Sequence, residues 1–143
     1  VVFRSPCLLP WMTALDNVAL PLILRGDEPD QASRRATEVL EMVGLGHRLH
    51  HLPMQLSGGQ QQRVAIARAI ITDPMIIVAD EPTGDLDRVS AEEILKLLQR
   101  LNREINKTII MVTHDRRAAE SAQAILHLEK GELLEKETLK VVS

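Results

Sequence analysis

The sequence predicts an α/β fold in which a parallel β-sheet is joined to an α-helical subdomain. Two continuous apolar segments, residues 75–79 and 108–112, flank a helical segment, and this alternation is typical of a parallel sheet. Residues 1–73 show mainly helical patterning, which predicts a helical subdomain ahead of the sheet. With 143 residues, of which 45% are apolar and 26% charged, the chain can bury one substantial core.

The chain opens on Val1-Val2-Phe3, which the apolar pattern predicts as the end of a buried strand. A loop bracketed by two prolines follows. Thr13 is predicted to cap a helix that runs to about residue 24, with Pro21 as a kink or a break.

The second helix is predicted from apolar side chains that recur at helical spacing. Asp27 or Asp30 can cap its start, and Gly44 and Gly46 are expected to end it. Its buried face is predicted to hold Ala32, Ala36, Val39, Leu40 and Val43.

The remaining elements alternate between helix and strand, so the first three strands after residue 73 are expected to share one parallel sheet. The two continuous apolar strands are predicted to be buried on both faces. The other predicted elements are helices over residues 60–72, 90–106 and 115–121, a third strand over 124–128, a turn at Lys130-Gly131 and an edge strand over 132–135.

Composition and charge exclude several classes of protein. The chain has one Phe, one Trp and no Tyr, so it lacks the aromatic platforms that bind single-stranded nucleic acid. Its 17 basic and 20 acidic residues leave a net charge of -3, which argues against a nucleic-acid partner. The single cysteine, Cys7, cannot form an internal disulfide, and no apolar run reaches the roughly 20 residues of a membrane span.

Polar residues follow both predicted buried strands, where α/β proteins place their ligands. Asp80 and Glu81 follow the first strand, and His114 follows the second. One carboxylate can hold Mg²⁺ while its neighbour orients or deprotonates a water, and a histidine can contact a phosphate oxygen. The alternative is that Asp80 only caps a turn before Pro82 and that His114 is structural.

A second candidate site is Ser57-Gly58-Gly59 at the start of a helix. Two glycines let the backbone approach an anion closely, and a helix N-terminus supplies free N–H groups and positive potential. Taken alone, the same residues also fit a flexible turn that only caps the helix.

Together these segments resemble the ATP-binding subunit of ABC transporters, in motifs that occur in the family's order. Two strings carry most of the likeness: Leu56-Ser57-Gly58-Gly59-Gln60-Gln61-Gln62-Arg63-Val64-Ala65-Ile66-Ala67-Arg68-Ala69 and Ala79-Asp80-Glu81-Pro82-Thr83-Gly84. The acidic turn Asp85-Leu86-Asp87, His114 and the loop after Phe3 complete the pattern. The triple Gln and the Leu-Leu-Pro stretch at residues 8–10 most resemble the macrolide-export and lipoprotein-release subgroup.

The resemblance implies a role for each matching residue, with ATP and Mg²⁺ as ligands. Asp80 is similar to the residue that serves Mg²⁺, Glu81 to the catalytic base and His114 to the histidine on the γ-phosphate. Ser57, Gly58, Gly59 and Gln60 resemble the signature that completes the ATP site of the opposite subunit in a head-to-tail dimer. Asp87 would lie at the seam of that dimer, and the segment that begins at Leu8 and ends at Val18 would receive the transmembrane permease subunit.

The sequence departs from the family pattern in two places. No glycine precedes a lysine, so the phosphate loop G-x-x-x-x-G-K-[ST] is absent from these residues, and we expect an N-terminally truncated cassette whose isolated chain is inactive. Arg4 stands where the family carries a nucleotide-site Gln. Since arginine cannot accept a hydrogen bond or ligate Mg²⁺, Arg4 either impairs the coupling of hydrolysis or is a substitution in an incomplete site.

The resemblance also implies a partial P-loop NTPase fold of the ABC ATPase type, in three segments. Residues 1–12 would form the end of a core strand and a Q-loop-like segment, residues 13–73 the α-helical subdomain with the signature motif, and residues 74–143 the C-terminal part of a RecA-like ATPase core.

The function implied is that of a transporter subunit that couples ATP binding and hydrolysis to export of a lipoprotein, macrolide or peptide-like substrate. Such a subunit would be cytoplasmic and would bind peripherally to the inner face of the plasma membrane. Two alternatives are a non-transport ABC ATPase of the DNA-repair or chromosome type, and a catalytically silent fragment that only binds a partner subunit. The short segment between Arg4 and Leu56 leaves no room for a long coiled coil, which argues against the first alternative.

Overall fold

The structure is a computed structural model that describes residues 1–138; the last part of the predicted segment 74–143, residues 139–143, lies outside the described residues. Helices and strands alternate after residue 73 as predicted. The helices are α1 (Ala14–Arg25), α2 (Pro29–Met42), α3 (Gly58–Ile70), α4 (Arg88–Glu104) and α5 (Arg116–Glu120). The strands are β1 (Ile76–Asp80), β2 (Thr108–Val112), β3 (Ala124–Glu129) and β4 (Glu132–Thr138). None of the helices within residues 1–138 is both long and apolar enough to cross a bilayer.

Helix α1 begins where the sequence predicts. The Thr13 hydroxyl accepts a hydrogen bond from the Asp16 N–H at 3.1 Å, and the Asp16 carboxylate accepts one from the Thr13 N–H at 3.3 Å. This reciprocal capping box satisfies two N–H groups that the helix itself cannot. Pro21 does not break the helix, which continues to Arg25 with Val18 and Leu22 buried in the core.

The predicted cap of α2 is wrong. Neither Asp27 nor Asp30 caps the helix; Glu28 precedes it without a side-chain hydrogen bond, and Pro29 occupies the first helical position. Proline fixes the helical φ there and has no N–H to satisfy. Asp27 instead binds Arg25, with its Oδ1 2.9 Å from Arg25 Nε, so its carboxylate is engaged elsewhere.

One aliphatic core runs from the helical subdomain to the sheet. The helices α1, α2 and α3 contact one another, and α4 contacts both α3 and β2. Buried side chains of the subdomain, such as Leu40 and Ile66, belong to the same cluster as Ile77 of β1 and Ile94 of α4. Because this core is continuous, α3 and α4 are held at defined positions relative to the ends of the strands.

Strands β1 and β2 pair in parallel, with Ile76 opposite Thr108 and Asp80 opposite Val112. The predicted strand at the start of the chain is present as a single parallel bridge of Val2 to Ala79. The Val2 N–H donates to the Val78 carbonyl and the Val2 carbonyl accepts from the Asp80 N–H, each at 2.8 Å. The carboxyl ends of β1 and β2 therefore lie side by side.

Two expectations about the strands are wrong. The sheet is buried on one face only: Ile77 and Ala79 are buried, whereas Ile110 is 51% and Val112 56% exposed. The buried face joins the core that contains α4, and none of the elements within residues 1–138 covers the other face.

The second error concerns β3, which pairs antiparallel with β4 rather than joining β1 and β2. Lys130 and Gly131 have φ values of +51° and +85°. A two-residue turn with both φ values positive has the twist that favours a tight hairpin. β3 therefore pairs with β4, the next strand in sequence, and not with β1 or β2.

Candidate functional site

Glu81 and His114, predicted to lie near each other, are in direct contact at the carboxyl ends of β1 and β2. Glu81 Oε1 accepts a hydrogen bond from the His114 backbone N–H at 2.8 Å and lies 2.6 Å from the ring nitrogen Nδ1. The Glu81 side chain is 17% exposed, whereas that of His114 is 81% exposed. The carboxylate is thus held inside the edge of the sheet, with the imidazole covering it from the solvent side.

The backbone of Glu81 turns its side chain towards β2. Glu81 has a φ of +46°, a left-handed conformation that costs a non-glycine residue about 1–2 kcal/mol. Its N–H donates to the Val112 carbonyl at 2.8 Å, which fixes this turn against the neighbouring strand. A strained residue kept in place by surrounding contacts is frequent at functional sites.

Thr113 is a part of this site whose role sequence reasoning missed. Its hydroxyl donates to Glu81 Oε2 at 3.1 Å and accepts from the Asp115 N–H at 3.0 Å. Both oxygens of Glu81 are therefore hydrogen-bonded. The signal was present in the sequence, because a polar residue at the end of an apolar strand, directly before His114, can reach the neighbouring strand end.

The pKa of the Glu81 carboxyl is lowered. Burial acts to raise it, but the hydrogen bonds from the His114 ring, the His114 N–H and the Thr113 hydroxyl stabilise the carboxylate and prevail. The ionised side chain can only accept hydrogen bonds. Oε1 accepts two of these hydrogen bonds and Oε2 only one, so Oε2 can still accept a further hydrogen bond or a proton.

Asp80 lies beside this pair with its carboxylate unengaged. It ends β1 and is exposed, and within residues 1–138 no side chain or N–H group donates to its oxygens. No group of three His, Cys, Asp or Glu side chains comes together as a metal site in the described part of the chain. A single free carboxylate nevertheless fits Mg²⁺, which is usually held by one or two carboxylates together with phosphates and waters. We call Asp80, Glu81, Thr113 and His114 the strand-end cluster.

Ser57 caps α3, whose first residues are Gly58, Gly59 and Gln60, so the helix begins two residues earlier than predicted. We call these four residues the helix-start group. Ser57 and Gln60 form a capping box: the Ser57 N–H donates to Gln60 Oε1 at 2.9 Å, and the Ser57 hydroxyl accepts from the Gln60 N–H at 3.2 Å. The N–H groups of Gly58 and Gly59 have no acceptor within the helix. The Ser57 hydroxyl proton is also available, so the group can donate to an anion.

The two glycines also allow α3 and α4 to approach each other, a reason that the sequence did not reveal. A Cβ on Gly59 would lie 3.0 Å from both Cβ and Oγ of Ser90, whereas a Cβ on Gly58 would meet only Leu86, at an ordinary 3.4 Å. Gly59 is buried and Gly58 is exposed. Only the second glycine is therefore required by packing.

We expect Gly59→Ala to lower the free energy of unfolding by about 1–3 kcal/mol, because the added methyl group overpacks the contact with Ser90. Gly58→Ala is the matched control and should be close to neutral. Urea unfolding followed by circular dichroism measures both. Equal effects of the two substitutions would contradict the packing role of Gly59.

Asp87 caps α4 next to this contact. Its carboxylate accepts from the Ser90 N–H at 3.0 Å and from the Ser90 hydroxyl at 2.7 Å. Both hydrogen bonds lower the pKa of the Asp87 carboxyl, and the bond from the Ser90 backbone N–H has the larger effect. Since Ser90 also touches Gly59, the starts of α3 and α4 and the Asp87 carboxylate form one surface.

The loop of residues 3–13 is held by three side chains that sequence reasoning missed. Gln62 donates to the Phe3 carbonyl at 2.9 Å, and Arg68 donates to the carbonyls of Pro6 and Cys7 at 2.8 and 2.9 Å. Asn17, which is fully buried, holds the far end of the loop. Two of these side chains belong to α3, so the helix that Ser57 caps also sets the path of this loop.

The Arg4 side chain extends from this loop towards the acidic turn Asp85-Leu86-Asp87. Its Nε lies 2.6 Å from Asp85 Oδ1, and Nη2 lies 3.4 Å from the Gly84 carbonyl. Its guanidinium is thus bound to the turn that follows Glu81. Sequence reasoning placed Arg4 with the nucleotide and found no partner for it within the chain.

The predicted permease-facing segment, from Leu8 to Val18, is divided between core and surface. Ala14, Asn17 and Val18 are buried, whereas Trp11 is 73% exposed. A large exposed aromatic side chain on a loop held at both ends is typical of a contact surface.

Comparison with known proteins shows the family of the chain. The sequence profile of the ABC transporter family matches residues 1–84, more than half of the chain. The chain belongs to the ABC transporter family.

Individual relatives are similar over nearly the whole chain. An uncharacterized ABC transporter ATP-binding protein of Thermotoga maritima is 53% identical over 132 residues, which cover 92% of this chain and 56% of the relative. The lipoprotein-releasing system ATP-binding protein LolD of Bordetella pertussis is 52% identical over 132 residues, which cover 92% of this chain and 57% of LolD.

A solved structure, the dimeric post-hydrolysis state of the ATP-binding cassette MJ0796 bound to ADP and Pi, superposes with a TM-score of 0.81. Its sequence is 45% identical, and the match covers 97% of this chain and 62% of the MJ0796 chain. The predicted fold, a partial ABC ATPase cassette with a parallel sheet and a helical subdomain, is confirmed. The chain spans little more than half the length of the curated relatives it matches.

Proposed function

We propose that this chain forms part of the ATP-binding subunit of an ABC transporter and supplies the hydrolytic residues of its ATP site. The observation that carries the proposal is the strand-end cluster: an ionised Glu81, held by His114 and Thr113, beside the unengaged carboxylate of Asp80. The membership of the chain in the ABC transporter family supports it.

In this proposal each member of the strand-end cluster has one task. Asp80 would hold Mg²⁺, and that ion would supply positive charge that stabilises the phosphate oxygens. Glu81 accepts the proton of the attacking water at a carboxylate oxygen. His114 contacts the terminal phosphate through its exposed imidazole and keeps the water in position.

The helix-start group is proposed to serve ATP held by a second subunit. Gly58 and Gly59 donate their free N–H groups and Ser57 its hydroxyl to the terminal phosphate, with Gln60 fixing Ser57 through the capping box. Asp87 lies beside them, at the seam of a head-to-tail dimer. The dimeric state of MJ0796, bound to ADP and Pi, supports this arrangement.

The exposed part of the segment from Leu8 to Val18, with Trp11, is proposed to contact a transmembrane permease subunit, which would hold the protein at the inner face of the membrane. The similarity to LolD supports a substrate of the lipoprotein class. The proposal also includes macrolide or peptide-like molecules as transported substrates.

The test is a chimeric cassette in which this chain replaces the matching 62% of MJ0796. We expect the chimera to release phosphate from Mg-ATP, with no increase when double-stranded DNA is added. MJ0796 itself is the control. A folded chimera that does not hydrolyse ATP would overturn the proposal, and a rate that DNA stimulates would favour a non-transport ATPase.

A further inference from the structure

The contact between Arg4 and the acidic turn joins two segments that lie about 80 residues apart in sequence. The pair is exposed, with 52% of each side chain accessible to solvent. An isolated ion pair of this kind contributes little. Three further observations make this one more than a surface pair.

The first is the close fit of Arg4 against Gly84. A Cβ on Gly84 would lie 2.9–3.1 Å from Nε, Cδ and Cγ of Arg4. Gly84 does not have a left-handed backbone conformation, so its φ does not require glycine. The Arg4 side chain lies directly on the backbone of the turn, and a side chain at position 84 would displace it.

The second observation is that the backbone around Arg4 is fixed on both sides. Val2 is bridged to β1, the Phe3 carbonyl accepts from Gln62, and the Pro6 carbonyl accepts from Arg68. An ion pair loses much of its strength when it must order a mobile chain. Because residues 2–6 are already ordered, only the side chain of Arg4 is immobilised.

The third observation is what the turn of residues 81–87 connects. The Gly84 N–H donates to the Glu81 carbonyl at 3.0 Å and the Leu86 N–H to the Thr83 carbonyl at 3.2 Å. At its far end, Asp87 caps α4. The turn is therefore bonded at one end to the carbonyl of Glu81, whose backbone is left-handed, and at the other end to α4.

From these contacts we propose that Arg4 is a positioning residue. By binding Asp85 and lying on Gly84, it keeps the turn of residues 81–87 closed and so keeps the Glu81 carboxylate on His114 and Thr113. Release of Arg4 lets the Glu81 carboxylate leave its position on His114 and Thr113 more often and so reach the attacking water. The structural part stands on the geometry above, and the effect on hydrolysis rests on the proposed function.

The structural part is tested on the chain itself by the solvent exchange rate of the Gly84 amide, measured by NMR. Asp85→Asn releases Arg4 without altering residue 4, and its effect is measured at the Gly84 amide. Gly84→Ala displaces Arg4 without altering any charge, and its effect is measured as the exchange rate of the Leu86 amide. We expect each to speed exchange by about 1.5- to 5-fold, the range of an exposed ion pair. Arg4→Gln should do the same, and the double variant Arg4→Gln/Asp85→Asn should be no faster than either single variant.

Two controls separate this contact from general charge effects. Arg35→Gln removes another exposed, ion-paired arginine far from the turn in sequence and should leave the exchange of both amides unchanged. In 1 M NaCl the wild-type rate should rise towards that of Asp85→Asn, because salt screens an exposed pair. Unchanged exchange in Asp85→Asn, or additive effects in the double variant, would overturn the proposal.

The catalytic part is tested in the chimeric cassette. Arg4→Gln and Asp85→Asn should each raise kcat by the same factor by which they speed amide exchange, with KM unchanged. A chimera without any hydrolysis refutes the proposed function and leaves the NMR result on Arg4 intact. Faster exchange with unchanged kcat in an active chimera refutes the positioning role alone.

Discussion

Glu81→Gln is expected to lower the turnover of the chimeric cassette by about 10²–10⁴-fold, the usual contribution of a general base. The amide oxygen of Gln can still accept the hydrogen bond from the His114 N–H, so the local fold should persist. What the variant loses is the ability to take a proton. Nucleotide-bound dimers should therefore accumulate, which light scattering in the presence of Mg-ATP measures.

Glu92→Gln is the matched control, since Glu92 is an exposed glutamate that pairs with Arg88 on α4. We expect it to leave kcat within a factor of two. If Glu81→Gln retained the wild-type rate, the assignment of Glu81 as the base would be wrong, whatever the state of the dimer.

The second large effect is expected at Asn17, on stability rather than on catalysis. Its fully buried amide accepts from the Leu9 N–H at 2.8 Å and donates to the carbonyls of Leu9, Met12 and Thr13 at 3.1, 3.0 and 3.0 Å. Asn17→Ala leaves the Leu9 N–H and the Met12 carbonyl without a partner, whereas the Leu9 and Thr13 carbonyls keep backbone hydrogen bonds from residues 12 and 17. An unsatisfied buried polar group costs about 1–3 kcal/mol. We expect a loss of about 3 kcal/mol in the free energy of unfolding, measured with urea.

Asn17→Asp should cost still more, because a carboxylate cannot donate to the three carbonyls and would be buried without a positive partner. Asn102→Ala is the control: that residue is half-buried and makes two side-chain hydrogen bonds, to Lys107 and Gln123. Its loss should be about 1 kcal/mol. An Asn17→Ala variant no less stable than Asn102→Ala would show that the loop does not depend on Asn17.

Much of the strand-end cluster could be predicted from sequence because parallel strands bring their carboxyl ends to one edge. The apolar runs before Glu81 and His114 predicted two such strands, and the side chains meet as expected. The direction in which Glu81 points could not be predicted. It follows from the left-handed backbone of Glu81 and from its N–H bond to Val112, a residue of another strand.

Local rules failed where two local signals competed. Asp27 and Asp30 both suited a helix cap, but Pro29 started the helix and Arg25 engaged Asp27. For β3, the alternation of helix and strand predicted a parallel neighbour, and the two-residue turn at Lys130-Gly131 favoured a hairpin with β4. The apolar composition of β1 and β2 predicted burial on both faces, yet a strand's own residues do not determine how many faces are covered.

The sequence by itself determined what depends on neighbours along the chain: the capping boxes at Thr13 and Ser57, the alternation of helices and strands, and the family to which the motifs belong. Only the tertiary structure decided which distant groups meet. The contacts of Arg4 with Asp85, of Gly59 with Ser90, and of Gln62 and Arg68 with the loop of residues 3–7 join segments 31–81 residues apart. No local pattern encodes such pairs, because they form only when packing of the shared core brings the segments together.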